Sequence, residues 1–201
     1  MTVEDCIPLV YLKPGEIFFD KKSACVSTVL GSCVAVTMVE HHTGFASICH
    51  AQLPRCKDHT KCLTGCSEKY KYMDCSIEAM LAAFSKHGIN PAQLEIKIFG
   101  GANGVGSSPA LETAGKIGRM NIEVALSTLA ARGLSPHNSD IDGTSGRKIY
   151  FMTPTGEVWA KRFKGKNLCN ENVSNIPLER LTFHGMKICS PVIKERFRFL
   201  K

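Results

Sequence analysis

At 201 residues, 44% hydrophobic and 21% charged, the chain is long enough for one folded domain with a sizeable core. No apolar run approaches the ~20 residues of a membrane helix. The acidic start Met1-Thr2-Val3-Glu4-Asp5 lacks a charged-then-apolar secretory pattern, so the composition predicts a cytoplasmic protein that is not membrane-embedded. The net charge of +7 comes with two basic clusters, Lys161–Lys166 and Lys194–Lys201, the second interleaved with aromatics. No RNP, finger or helix-turn-helix signature accompanies them, so a solvated basic face is expected and no nucleic-acid partner. Ten cysteines in a reducing compartment are expected as thiols, ligands or nucleophiles rather than staples.

Lys13-Pro14-Gly15 is turn chemistry, and strands are predicted from there to Val29. The run Val26–Leu30 breaks at Gly31-Ser32, and Cys33 follows directly. Val34, Val36 and Met38 alternate with Ala35 and Thr37, as in a half-buried strand. His41–Gly44 reads as a turn and Phe45–His50 as the returning strand, with His50 on the face of Ala46 and Ile48 and Cys49 on the other. Nucleophilic cysteine chemistry needs a thiol, a base and N–H groups for the developing anion. Cys33, His50 and the open backbone at Gly31 and Ser32 supply those three types, although the same residues also suit an ordinary core.

Cys56, His59, Cys62 and Cys66 fall within eleven residues, a ligand-rich cluster whose irregular intervals fit a zinc site poorly, so no metal is assigned. Ile77, Met80, Leu81 and Phe84 predict a helix from Asp74, as its cap, to Gly88. Tyr72 stands just ahead of it. Leu94–Phe99 reads as a strand running into Gly100-Gly101-Ala102-Asn103-Gly104, where close backbone approach explains the glycines better than phosphate binding. Residues 103–116 read as a surface loop. A second helix is predicted over Ile117–Arg132, with Ile122, Ala125, Leu126 and Leu129 inward. A polar turn at Asp142–Arg147 then precedes a hairpin of strands, Lys148–Met152 and Glu157–Phe163. Strands with two clear helices indicate an α+β domain of layered mixed sheets flanked by helices.

The run Leu30-Gly31-Ser32-Cys33-Val34-Ala35-Val36, with His50 seventeen positions after the cysteine and Leu53-Pro54 behind it, resembles the chemoreceptor glutamine deamidases of the CheD family. Tyr72, Lys97–Ala102, Ile117–Asn121, Asp142-Gly143 and Gly146–Lys148 continue the match in the family's order. One departure is Thr144, where the family often has a second glycine. The resemblance spans roughly residues 10–164, which sets a deamidase-like domain at 1–164 and a basic C-terminal extension at 165–201, partly packed on it.

The resemblance implies the layered fold shared with cysteine deamidase toxins. It implies hydrolysis of glutamine side-chain amides on methyl-accepting chemotaxis receptors, giving glutamate and ammonia through a thioester, with no cofactor. Cys33 is then the nucleophile and His50 the general base and acid, oriented by Ser27 or Thr28. Gly31 and Ser32 lie at the oxyanion, and His50 is expected to lower the Cys33 pKa appreciably. Tyr72, Gly100, Gly101 and Asn121 are cleft candidates, Asn121 equally a loop-bracing amide. A CheC-type phosphatase is an implied partner. The alternatives are a regulatory binding module with little catalysis, another cysteine amidase or peptidase, and zinc-dependent nucleic-acid binding.

Overall fold

A computed structural model describes residues 6–57, 68–103, 109–163, 182–183, 186–189 and 197–200. Eleven strands are present in them: β1 Cys6–Tyr11, β2 Ile17–Asp20, β3 Cys25–Leu30, β4 Val34–Glu40, β5 Phe45–Cys49, β6 Glu95–Gly100, β7 Asn138–Ile141, β8 Arg147–Met152, β9 Val158–Arg162, β10 Thr182–Phe183 and β11 Met186–Cys189. Two helices, α1 (Met73–Lys86) and α2 (Pro109–Ala130), join short 3-10 turns at Lys69–Lys71 and Pro91–Gln93.

The strands form two mixed sheets, in the orders β10-β11-β1-β3-β8-β9 and β2-β5-β4-β6-β7. Val26, Leu30, Ile149 and Phe151 of the first meet Phe18, Ala35, Val39, Ile48 and Phe99 of the second in one buried layer. The second sheet turns its other face, Val34, Val36, Met38, Cys49 and Ile98, to Met80 and Phe84 of α1 and Ala125 and Leu129 of α2. The order is therefore sheet, sheet, helices: the layered α+β architecture that the periodicities indicate.

Five features differ from the sequence expectations. Every residue of β4 is buried rather than half of them, because the second sheet is the middle layer and both its faces are covered. Helix α2 begins at Pro109, inside the stretch read as a loop; proline suits a first helical turn, whose N–H needs no partner. Leu126 of that helix is 38% exposed, and the inward position belongs to Val124. Asp74 is not a cap: Tyr72 precedes the first helical residue, and the Asp74 carboxylate receives N–H bonds from Cys56 (3.3 Å) and Cys75 (2.8 Å). Cys6 is disulfide-bonded, contrary to the expectation of thiols, ligands or nucleophiles rather than staples.

The extension contributes two separate pieces. Strand β11 pairs in parallel with β1 through Ile7 and Ile188. Farther on, Phe199 bridges Phe18 of β2.

Candidate active site

Cys33 sits in the turn between β3 and β4, half-buried and packed against the layer between the sheets. Every carbonyl of that turn is tied to a different part of the chain. Ala102 N–H donates to Gly31 O (2.8 Å), the Asn121 amide to Ser32 O (3.0 Å), and Gly101 N–H to Cys33 O (2.8 Å). A trans peptide points its N–H opposite to its C=O. Ser32 and Cys33 N–H therefore face away from these anchors, and neither donates to a backbone acceptor among the described residues. Val34 N–H, the next along, goes to Ala51 O (3.0 Å).

Glycines make this clamp possible. A Cβ on Gly100, whose φ is +109°, would lie 2.3 Å from Cys33 O. A Cβ on Gly118 would lie 2.9 Å from the carbonyl oxygens of Gly101 and Ala102, so α2 touches the Gly100–Ala102 segment backbone to backbone. The fully buried Asn121, one turn along, also donates to Gln52 O (3.1 Å). One amide thus joins the cysteine turn to the segment after His50. On the far side, Arg147 is wholly buried, donates to the carbonyls of Asp140 and Asp142, and pairs with the Asp140 carboxylate at 3.0 Å. It fixes Asp142 at φ +62°, from where Asp142 N–H donates to Gly100 O (2.9 Å).

His50 follows β5 directly. The ladder pairs Thr37 with Ile48, and Val34 bridges Ala51. That register sets His50 opposite Ala35, on the face shared by Cys33 and as its diagonal neighbour. The imidazole is 1% exposed. Its Nδ1 lies 2.7 Å from Thr28 Oγ1, and that hydroxyl donates its only proton to Leu12 O (2.8 Å). Nδ1 must therefore carry the hydrogen, which leaves Nε2 as an unprotonated lone pair. Among the described residues Nε2 has no hydrogen-bond partner, so the thiol is on the same face but not yet bonded to it. Ser27 is also buried, but strand alternation turns it to the opposite face, beside Tyr150 across the ladder.

Burial sets the charge state. Desolvation pulls the His50 pKa down to about 4, outweighing the Leu12 carbonyl and Glu16. Desolvation also raises the Cys33 thiol, opposed by its own N–H. The expected lowering of the cysteine pKa is corrected: thiol and imidazole rest as a neutral pair. Cys25 and Cys49 are buried deeper and pushed up to about 12.

The other sequence candidates scatter. Gly100 and Gly101 shape the cysteine turn as above. Tyr72 lines a cavity of about 820 Å³ with Leu53, Pro54, Ile117, Met120 and Val124, beside the site and not containing Cys33 or His50. Cys56 borders that cavity, whereas His59, Cys62 and Cys66 lie outside the described residues. The anchors that sequence patterns did not single out are Leu12 O and Gly118. A carbonyl leaves no trace in a side-chain pattern, and Gly118 showed only as one glycine of a motif.

The family described as CheD chemotactic sensory transduction matches residues 53–162. A probable chemoreceptor glutamine deamidase CheD 2 of Geobacter sulfurreducens is 44% identical over 156 residues, 78% of this chain and 91% of the relative. A probable chemoreceptor glutamine deamidase CheD of Oleidesulfovibrio alaskensis is 40% identical over 163 residues, 80% of this chain and 76% of its own. Its namesake in Thermococcus kodakarensis is 33% identical over 145 residues, covering 72% and 86%. Among the described residues no helix is long and apolar enough to cross a membrane.

Proposed function

The chain belongs to the CheD family, and from that premise we propose that it hydrolyses the side-chain amide of glutamines on methyl-accepting chemotaxis receptors. The observation that carries the reading is the tautomer lock: the Thr28 hydroxyl donates its hydrogen bond to Leu12 O and accepts from Nδ1, so His50 presents the Nε2 lone pair on the face of Cys33.

The chemistry starts from the neutral pair. As Cys33 Sγ attacks the carboxamide carbon, its proton passes to His50 Nε2, and neither group has to hold an isolated charge in the buried site beforehand. The carbonyl oxygen becomes an oxyanion that Ser32 and Cys33 N–H are oriented to receive. Collapse breaks the C–N bond while Nε2–H protonates the departing ammonia. Water then gives a proton to Nε2 and attacks the thioester; the thiolate leaves and takes that proton back, and glutamate remains. No step needs a metal or organic cofactor. Thr28, Asn121 and Gly100 act as positioning residues, because they touch the imidazole or the turn.

The test is the intact mass of a receptor fragment incubated with the protein, together with ammonia release. Each deamidation adds about one mass unit with the chain unbroken, whereas new termini would indicate a peptidase instead. Ammonia release from the Cys33→Ala chain at the wild-type rate would end the proposal. The CheD resemblance further supports a CheC-type phosphatase as a regulatory partner. Retention of that complex by Cys33→Ala, in a pull-down, separates binding from catalysis.

A further inference from the structure

The β2 strand has the composition of a core strand and the position of an edge. It pairs only with β5 among the named strands, yet all four of its residues are buried, Phe18 completely. What covers it is the extreme C-terminal segment. Phe19 N–H donates to Arg198 O (3.0 Å), and Leu200 N–H donates to Ile17 O (3.1 Å). Arg198 N–H reaches the buried Asp20 carboxylate (3.0 Å). Phe197 and Phe199 set their rings 5.7 and 5.9 Å from that of Phe18 in the layer between the sheets. Leu200, on the other face, packs against the helix-side core. Alternate residues thus enter both cores, as an added edge strand must place them.

The same strand holds the histidine. Both backbone bonds of His50 go to the residues entering β2: His50 N–H to Glu16 O (3.1 Å) and Gly15 N–H to His50 O (2.8 Å). Ile17, next in the chain, accepts from Leu200. We infer that the β2 edge is a strand-addition site whose occupant is the chain's own Phe197–Leu200, and that its occupancy sets the position of His50. The segment is then a positioning element for catalysis, and this role rests on the reading of His50 as the general base.

The consequence is physical. Without the segment Phe18 faces water, Ile17 O and Phe19 N–H lose their partners, and Asp20 loses one of the three N–H groups it accepts. An unpinned β2 lets Glu16 and Gly15 drift. His50 then keeps the Thr28 bond and the Val34–Ala51 pairing of its neighbour but loses both of its own backbone bonds, so its tautomer is fixed while its distance to Cys33 is not.

The full-length Phe199→Asp chain tests this directly, because it places a charge between the sheets. A fluorescent peptide of residues 196–201 is then titrated in. Binding to the variant, loss of about tenfold in kcat at unchanged KM, and recovery on saturation with the peptide are expected. A peptide with both phenylalanines replaced by aspartate should do neither. Leu200→Pro, which deletes one N–H without adding charge, should lower kcat several-fold if Phe199→Asp fails to fold. Wild-type kcat in Leu200→Pro, or peptide binding without recovery, overturns the inference. Leu129→Ala controls for lost stability, since it thins the helix-side core away from β2 and should lower the melting temperature with kcat kept below it. Should the wild-type chain release no ammonia from receptor fragments, the functional reading fails separately. The strand inference is then judged by the His50 ring NMR signals, which must shift in Leu200→Pro or Phe199→Asp and return with peptide; unmoved signals overturn it.

Discussion

Strand β4 ends in two turns that solve the same problem in opposite ways. At its C-terminal end, the turn His41–Gly44 is satisfied from within: the Glu40 carboxylate accepts the N–H groups of His42 (3.0 Å) and Thr43 (2.7 Å), and Gly44 N–H returns to Glu40 O (3.0 Å). At its N-terminal end, the turn Gly31–Cys33 is satisfied from outside, by Gly101, Ala102 and Asn121. A turn closed on itself needs nothing from the tertiary structure. A turn whose carbonyls are drawn off to α2 and to the loop after β6 keeps two N–H groups beside a thiol, and only the completed fold holds it open. The second arrangement costs conformational freedom at Gly100 and burial of Asn121, and it leaves the Ser32 and Cys33 N–H groups without a backbone acceptor among the described residues, as the proposed oxyanion contact requires.

Breaking the outward-tied turn should therefore matter far more than breaking the self-tied one. The largest effect belongs to the groups proposed to react: Cys33→Ala should lower ammonia release by on the order of 10³-fold or more, and His50→Gln by about 10² to 10⁴-fold, with cooperative melting kept. The unmodified thiol should alkylate with a pH midpoint above the usual range near ~8.5, because burial raises it. A midpoint near neutrality would mean a preformed ion pair and would sink the neutral-pair mechanism.

Gly100→Ala comes next. Its Cβ meets a backbone oxygen that cannot swing aside, at a φ of +109°, so about 3 kcal/mol of stability or more is at stake. Thermal melts measure it, and a wild-type melting temperature would show that the cysteine turn can move. Gly44→Ala, at φ +76° with nothing near its Cβ, should cost about 1 kcal/mol.

The histidine gives a pH test of similar size. Its folded pKa of about 4 lies below the ordinary 6.5, so between those values the unfolded chain binds the extra proton. Stability should rise with pH across that window. The His50 share, about 3 kcal/mol, is fully present above 6.5 and lost as pH falls to 4. Urea denaturation at pH 4.5 and 7 checks it, with His50→Gln expected to flatten the difference. An unchanged slope in that variant would assign the acid sensitivity elsewhere.

Thr28→Val and Ser27→Ala compare two faces of one strand. Loss of the Thr28 hydroxyl frees Nδ1 from its acceptor and lets the wrong tautomer form, so kcat should fall about tenfold or more at similar KM. Ser27→Ala should stay within about twofold. Equal effects would mean that Thr28 acts through packing alone. Smallest is Glu40→Gln, where one cap acceptor becomes a donor in the self-tied turn: at most about 1 kcal/mol in a melt, and no change in kcat.

Much of the candidate site was legible in residue order. The Gly31-Ser32-Cys33 break, His50 at the end of its strand and the ordered motifs downstream all stand in the chain as written. The spacing of Ile77, Met80, Leu81 and Phe84 found α1, because one helix face packs on a sheet. The start of α2 was less legible, since Pro109–Lys116 shows no apolar period. Strand β7 was not found either: Asn138–Ile141 is polar and half-exposed, and only pairing with β6 makes it a strand.

The sequence by itself determined which chemistry was available: a thiol after a small-residue break, an imidazole two strands' length away, and hydroxyls at 27 and 28. Local residue types and the period of two carry that much, because each depends only on near neighbours. Tertiary structure alone decided that Thr28 holds the imidazole and Ser27 does not, since β3 turns one hydroxyl toward the second sheet and the other away from it. It also decided that the pair rests uncharged, because desolvation is a property of the packed layers and not of any motif.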